Sequence, residues 1–206
     1  RFVKGKVKSA DDAIKGAKDI IAEWMSESEA AKKTIRGIFA REAVIESKVI
    51  KGKEEEGEKY KDYFKRSEPL RRCSSHRLLA MRRGESEKIL NVSISADKEV
   101  CIDRLCRIFV RGDNESADEV EDAVEDSYKR LISTSIETEF ANASKEKADQ
   151  EAIKVFSENL RQLLLAPPLG QKRVMGIDPG FRTGCKVVCI DAQGNLLHNE
   201  TIYPHA

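Results

Sequence analysis

No uninterrupted apolar run in these 206 residues reaches membrane-spanning length, and no basic-then-apolar segment opens the chain. A cytoplasmic protein with no membrane partner is the expectation. The three histidines, His76, His198 and His205, are too few and too scattered to gather a metal ion. The five cysteines (Cys73, Cys101, Cys106, Cys185 and Cys189) are odd in number, contain no C-x-x-C pair and lack zinc-knuckle spacing. They read as reduced, mostly buried thiols. A G-x-x-x-x-G-K-[ST] loop is absent, so the sequence calls for no cofactor and points to no small-molecule substrate. Ser74-Ser75-His76 reads as a helix start and not as a nucleophile and its base. No repeat of solenoid length is visible.

Net charge is nearly absent too, with 37 Lys and Arg against 36 Asp and Glu. The distribution says more. Between Lys65 and Arg83 lie seven basic residues and one acid, Glu68, and every base but Lys65 is Arg. Arg grips a phosphate with two parallel hydrogen bonds. Arg71, Arg72, Arg77, Arg82 and Arg83 are therefore the candidate nucleic-acid-binding residues. Between Asp113 and Asp126 lie eight acids and no base. That run reads first as a solvated helix face and second as a surface for a basic partner.

What is present is 40% apolar and 35% charged residues, which suits a helix-rich chain with a modest core. Asp11 and Asp12 can cap a first helix carrying Ile14, Ala17, Ile21, Trp24 and Met25. A second helix presents Ala31, Thr34, Ile35, Ile38 and Phe39. Lys48 to Ile50 is a short extended piece ended by Gly52. Glu54-Glu55-Glu56 favours a helix N-terminus, with Tyr60, Tyr63 and Phe64 as that helix's buried edge. A further helix follows Ser74 or Ser75 and ends at Gly84. Leu90, Val92 and Ile94 alternate as in a brief strand. After another amphipathic helix closed by Gly112, helical spacing runs from about Ser116 through Val120, Val124, Tyr128, Leu131, Ile136 and Phe140. Ile153, Phe156, Leu160, Leu163 and Leu164 continue the stripe. One long helix and two shorter ones both fit.

"APPLGQKR" (Ala166 to Arg173) is the clearest boundary, because two prolines and a glycine end a helix there. The organisation expected is a helical domain over 1–166, a linker over 167–172 and strands over 173–206. Val174 to Ile177 reads as a central strand with Asp178 at its tip, where open α/β sheets place ligands. A glycine turn, a second strand, the hairpin Asp191 to Asn195 and a third strand follow. Three strands cannot bury a sheet alone, so this meander reads as the opening of a larger domain. Asp178 has three readings: the leading carboxylate of a two-metal phosphodiesterase, part of a phosphate-holding turn, or a shaper of the bend. The second is disfavoured by Phe181-Arg182 where hydroxyl residues belong.

The strings "AKDIIAEWMSE", "REAVIESKVIKGKEEEGEKYKDYF", "SEPLRRCSSHRLLAMRRGESE" and "LRQLLLAPPLGQKRVMGIDPG", with "VMGIDPGFRTGCKVVCID" after them, resemble the bacterial Tex family of transcription accessory proteins. The resemblance covers nearly the whole chain. It implies a mainly α fold, a multi-helical domain followed by the first strands of an RNase H-like (RuvC-like) α/β domain. It also implies that helix-hairpin-helix units and an RNA-binding OB-fold belong to the family outside these residues. Asp178 falls at the position of the first carboxylate of RuvC-type nucleases, as a candidate metal ligand only. The expected function is a non-catalytic, nucleic-acid-binding scaffold of a transcription accessory factor, with RNA or DNA and the transcription machinery as partners. The alternative is a metal-dependent nuclease or resolvase completed only in a longer chain.

Overall fold

The computed structural model describes residues 7–180 and 182–204. The chain divides into two compact units, Arg1–Phe156 and Ser157–Ala206.

The first unit opens with α1 (Ala10–Glu27). Ser9 is its N-cap, and Asp12 bonds back to the cap, so the acid expected to cap the helix is the reciprocal half of a capping box. Ser28 ends α1 and caps α2 (Glu29–Glu42) with its side chain, so one residue makes the corner. Ala31, Ile35, Ile38 and Phe39 are buried along α2, on the face the spacing indicates. On α1 the buried residues are Ala22 and Met25, while Trp24 is exposed. Small residues decide this. Ala22 lies against the later helix α5 (Glu115–Ser127), whose buried residues include Ala123 and Ser127, and the Ser127 hydroxyl donates to the Ala22 carbonyl at 2.7 Å. An indole cannot enter so close an approach.

A three-stranded antiparallel sheet lies between these helices in sequence: β1 (Val44–Val49), β2 (Lys65–Pro69) and β3 (Leu90–Ser95), in the order β2-β1-β3. The alternation at Leu90, Val92 and Ile94 is a strand, as its period requires. The extended piece at 48–50 proves to be the end of the longer β1. The helix expected from Glu54 does not form. Residues 54–57 are turn, and a 3-10 segment covers Glu58–Tyr63. Gly57 explains the difference, because a Cβ there would lie 2.5 Å from the Ile89 side chain and 2.8 Å from the Lys53 carbonyl. The chain must turn tightly to bring β2 back to β1.

α3 (Ser75–Ser86) runs through Gly84 and does not end on it. Gly84 is instead where Leu90 presses on the helix, 2.6 Å from a hypothetical Cβ. Lys88, at φ 58°, takes the left-handed turn. α4 (Lys98–Phe109) is capped by Asp97 and α5 by Asn114. α5 continues without a break through a π-helical turn, Tyr128–Ile132, into α6 (Ser133–Leu164). The buried or half-buried residues Val120, Val124, Tyr128, Ile132, Ile136 and Phe140 recur every four positions. Four residues overshoot a turn of α-helix by about 40°. The wider π turn absorbs part of that drift and keeps the stripe on the core. Beyond Ala148 burial ends, and Ile153, Phe156, Leu160, Leu163 and Leu164 are exposed.

In the second unit, β4 (Val174–Asp178), β5 (Cys185–Ile190) and β6 (Leu196–Ile202) form an antiparallel meander in the order β4-β5-β6. Among the described residues β5 is the central strand, and β4, expected to be central, is an edge. Met175 and Ile177 are exposed there. The Asp191 carboxylate shapes the β5–β6 hairpin by accepting the Gln193 and Asn195 amides at 2.9 and 2.8 Å.

Candidate nucleic-acid interface

The five candidate arginines fall on α3 and on the 3-10 turn, Leu70–Arg72, that feeds it. They do not form one patch of equal charges. Glu68, the lone acid of the basic stretch, sits opposite Ile45 on β1, so its side chain falls on the buried side of the sheet at its edge strand. Arg77 reaches it from α3 with two bonds, at 3.1 and 2.9 Å, and Arg66 adds a third at 2.8 Å. The Arg77 guanidinium also donates to the Arg72 carbonyl at 3.2 Å, tying α3 to the turn before it. Burial works to raise the Glu68 carboxyl, but the bonds from Arg66 and Arg77 outweigh it and hold the group below its usual value. The neighbouring Cys73 thiol is pushed up to about 11, by burial first and by Glu68 second, which keeps it protonated and unreactive.

Arg82 is also occupied. It donates to Glu85 at 2.8 Å, its side chain is only 14% exposed, and its Nε is buried without a partner. Arg71, Arg72 and Arg83 are not so held, and among the described residues none of the three has a side-chain ion pair within 4 Å. Arg71 lines a cleft of about 380 Å³ between the start of α3 and α6, together with Ser74, Ser75, Lys147 and Glu151. Ser75 bonds Glu151 across it. No sequence pattern pointed to Lys147, because it lies more than seventy positions from Arg71, and only the packing of α6 brings the two together. Arg83 lies in the last turn of α3, away from Arg71 and Arg72 at its start.

The acidic run behaves differently. Lys18 of α1 bonds Glu119 at 2.7 Å and Asp122 at 3.1 Å. Lys98 of α4 meets Glu125 at 3.2 Å. Lys129 also pairs with Glu125, and Arg130 takes Asp126 at 2.8 Å. These contacts depress the Glu125 and Asp126 carboxyls, chiefly through the Lys129 and Arg130 bonds. Three of the eight acids, Glu119, Asp122 and Glu125, thus tie α5 to α1 and α4, while the Asp126–Arg130 pair lies within the one continuous helix.

Asp178 ends β4, in register with Lys186 on β5, and Lys186 is in register with Thr201 on β6. The turn between β4 and β5 needs its glycines. A Cβ on Gly180 would lie 2.5 Å from the Thr183 hydroxyl, and Gly184, at φ 78°, packs 2.7 Å from the Tyr203 ring by the same measure. Phe181 lies outside the described residues. A two-metal centre needs several carboxylates around one point. Among the described residues no three His, Cys, Asp or Glu side chains gather to hold a metal, and the donor set around Asp178 does not fit one.

A sheet-bearing helical domain joined to a glycine-turn meander defines the class: a helical module with the opening strands of an RNase H-like domain. The chain belongs to the Tex family. Residues 1–156 match the family described as Tex central region-like, and residues 172–206 match the Tex protein YqgF-like domain. The Bacillus subtilis uncharacterized protein YdcI is 42% identical over 98% of this chain and 28% of its own length. Transcriptional accessory protein Tex of Neisseria gonorrhoeae is 35% identical, over 99% of this chain and 28% of its own. The human S1 RNA-binding domain-containing protein 1 is 30% identical, over 98% and 22%. The chain thus spans between about a fifth and three tenths of the curated relatives it matches. No helix among the described residues is long and apolar enough to cross a membrane.

Proposed function

We propose that this chain is a non-catalytic, nucleic-acid-contacting scaffold within a Tex-type transcription accessory factor. The observation that carries the reading is the division of the arginines around α3. Arg77 and Arg82 are held by Glu68 and Glu85, while Arg71, Arg72 and Arg83 stand without a carboxylate partner among the described residues. Unpaired surface guanidinium groups are what a phosphate backbone takes up, with release of counterions. The names of two relatives, a transcriptional accessory protein and an S1 RNA-binding domain-containing protein, support transcription and RNA as the setting. The transcription machinery is the second partner class of this proposal, and no reaction is assigned to the chain.

The experiment is binding of the full-length protein to single-stranded RNA and duplex DNA across a salt series. Arg71→Glu with Arg72→Glu should weaken binding and flatten the dependence of log affinity on log salt by nearly one unit for each phosphate no longer neutralised. Unchanged affinity and slope would remove this surface from the interface.

A further inference from the structure

We infer that the cleft between the start of α3 and α6 seats one phosphate group of the bound nucleic acid, held by Arg71 from the turn before α3 and by Lys147 from α6. The inference deepens the scaffold reading above and rests on it. The cleft measures about 380 Å³, and its lining includes the buried side chains of Leu78 and Ala148. Cations set against apolar, low-dielectric walls concentrate their field on an anion that enters. Two cations against one acid, Glu151, leave this cleft with a surplus of positive charge. A guanidinium and an ammonium from two separate elements are also donors of the strong, charge-assisted kind that phosphate oxygens accept.

The side-chain bonds around the cleft leave both cations available. Lys145, two positions before Lys147, is spent on Asp149 one turn along α6, at 2.6 Å. Glu151 stands at the same spacing from Lys147 but accepts the Ser75 hydroxyl instead. Among the described residues neither Lys147 nor Arg71 has an ion pair within 4 Å, and both are exposed. Ser75 thus keeps the one carboxylate of the cleft engaged. The remaining hydroxyls differ in what they can give. Ser144 donates to the Ala141 carbonyl at 3.0 Å, so its proton is used. Ser74 bonds no helix amide, and its hydroxyl lies 3.4 Å from His76 Nε2. A histidine nitrogen that donates to it leaves the Ser74 proton for a phosphate oxygen.

The test uses full-length protein and one single-stranded RNA, made with a 5′-phosphate and with a 5′-hydroxyl, across a salt series. Lys147→Met should weaken binding by roughly threefold and lower the salt slope by about 0.7, the share of one phosphate on a single strand. Glu151→Gln should tighten binding, because it removes the one negative charge from the cleft. Lys145→Met, whose ammonium is already spent, should behave as wild type, and matching melting curves confirm that the variants fold. A wild-type preference for the 5′-phosphate strand that Lys147→Met erases assigns the cleft to a terminal phosphate. Equal loss on both strands assigns it to a phosphodiester within the chain. Binding by Lys147→Met that equals wild type, or weaker binding by Glu151→Gln, would overturn the inference. The scaffold reading survives that result if Arg71→Glu with Arg72→Glu still weakens binding. If wild type binds no RNA, the scaffold reading fails, and inorganic phosphate then reads the cleft by itself. Its phosphorus NMR line should broaden more with wild type than with Lys147→Met, and equal broadening would sink the cleft as well.

Discussion

The two charge runs of this chain look alike in sequence, and the fold divides each of them by different means. Of the acids between Asp113 and Asp126, Glu119 and Asp122 are taken by Lys18 of α1, Glu125 by Lys98 of α4 and by Lys129, and Asp126 by Arg130, the last two bases lying one turn further along the same continuous helix. The bases between Lys65 and Arg83 are divided. One half-buried carboxylate, Glu68, takes Arg66 and Arg77, and the start of α3 keeps Arg71 and Arg72 outward. A run of charge is therefore no unit of function. The residues worth testing are those the fold leaves without a partner.

That contrast can be broken from its strongest point downward. Glu68→Ala should cost the most, about 1–3 kcal/mol in denaturant unfolding, because two guanidinium groups lose their shared acceptor at a half-buried site. An unchanged midpoint would show that the Arg66–Glu68–Arg77 group is not a clamp. Glu68 also sets a pH dependence. Its folded carboxyl lies below the ordinary value, so its contribution is complete above the ordinary carboxylate range, around pH 4.3. It is lost as pH falls through the folded value, and Glu68→Gln should flatten the acid limb of a stability–pH curve. Lys18→Met comes next, since its two partners on α5 are exposed. The expected loss is smaller than that of Glu68→Ala and should shrink at high salt. Arg71→Ala and Arg72→Ala should be smallest, within about 0.5 kcal/mol of wild type in stability.

Much of this fold was legible in the chain and some was not, for reasons that differ by element. β3 announced itself because its buried residues alternate with polar ones. β2 (Lys-Arg-Ser-Glu-Pro) could not, since it lacks any large apolar side chain and its inner face is made by an Arg–Glu pair that only the sheet register reveals. Gly84 looks like a helix stop to any local rule, and its reason lies in Leu90 across the packing. Trp24 fits the helical spacing of α1 and is exposed, because the helix rolls toward its alanine to meet α5. The candidate site shows the same limit. Composition could find the basic stretch, but Glu68's preference for Arg77, the nearness of Lys147 to Arg71 and the place of Lys186 beside Asp178 are facts of register and packing. The last was within reach, by counting strand positions back across the glycine turn.

The most direct measurement of the central claim compares two paired substitutions in the full-length protein across a salt series on one single-stranded RNA. Arg71→Glu with Arg72→Glu should weaken binding and reduce the salt slope while leaving the unfolding midpoint within about 0.5 kcal/mol of wild type. Arg77→Met with Arg82→Met should lower stability and leave the salt slope as it was. The opposite pattern, in which the slope falls on substituting Arg77 and Arg82 and survives substitution of Arg71 and Arg72, would contradict the division of the cluster into clamp and contact surface.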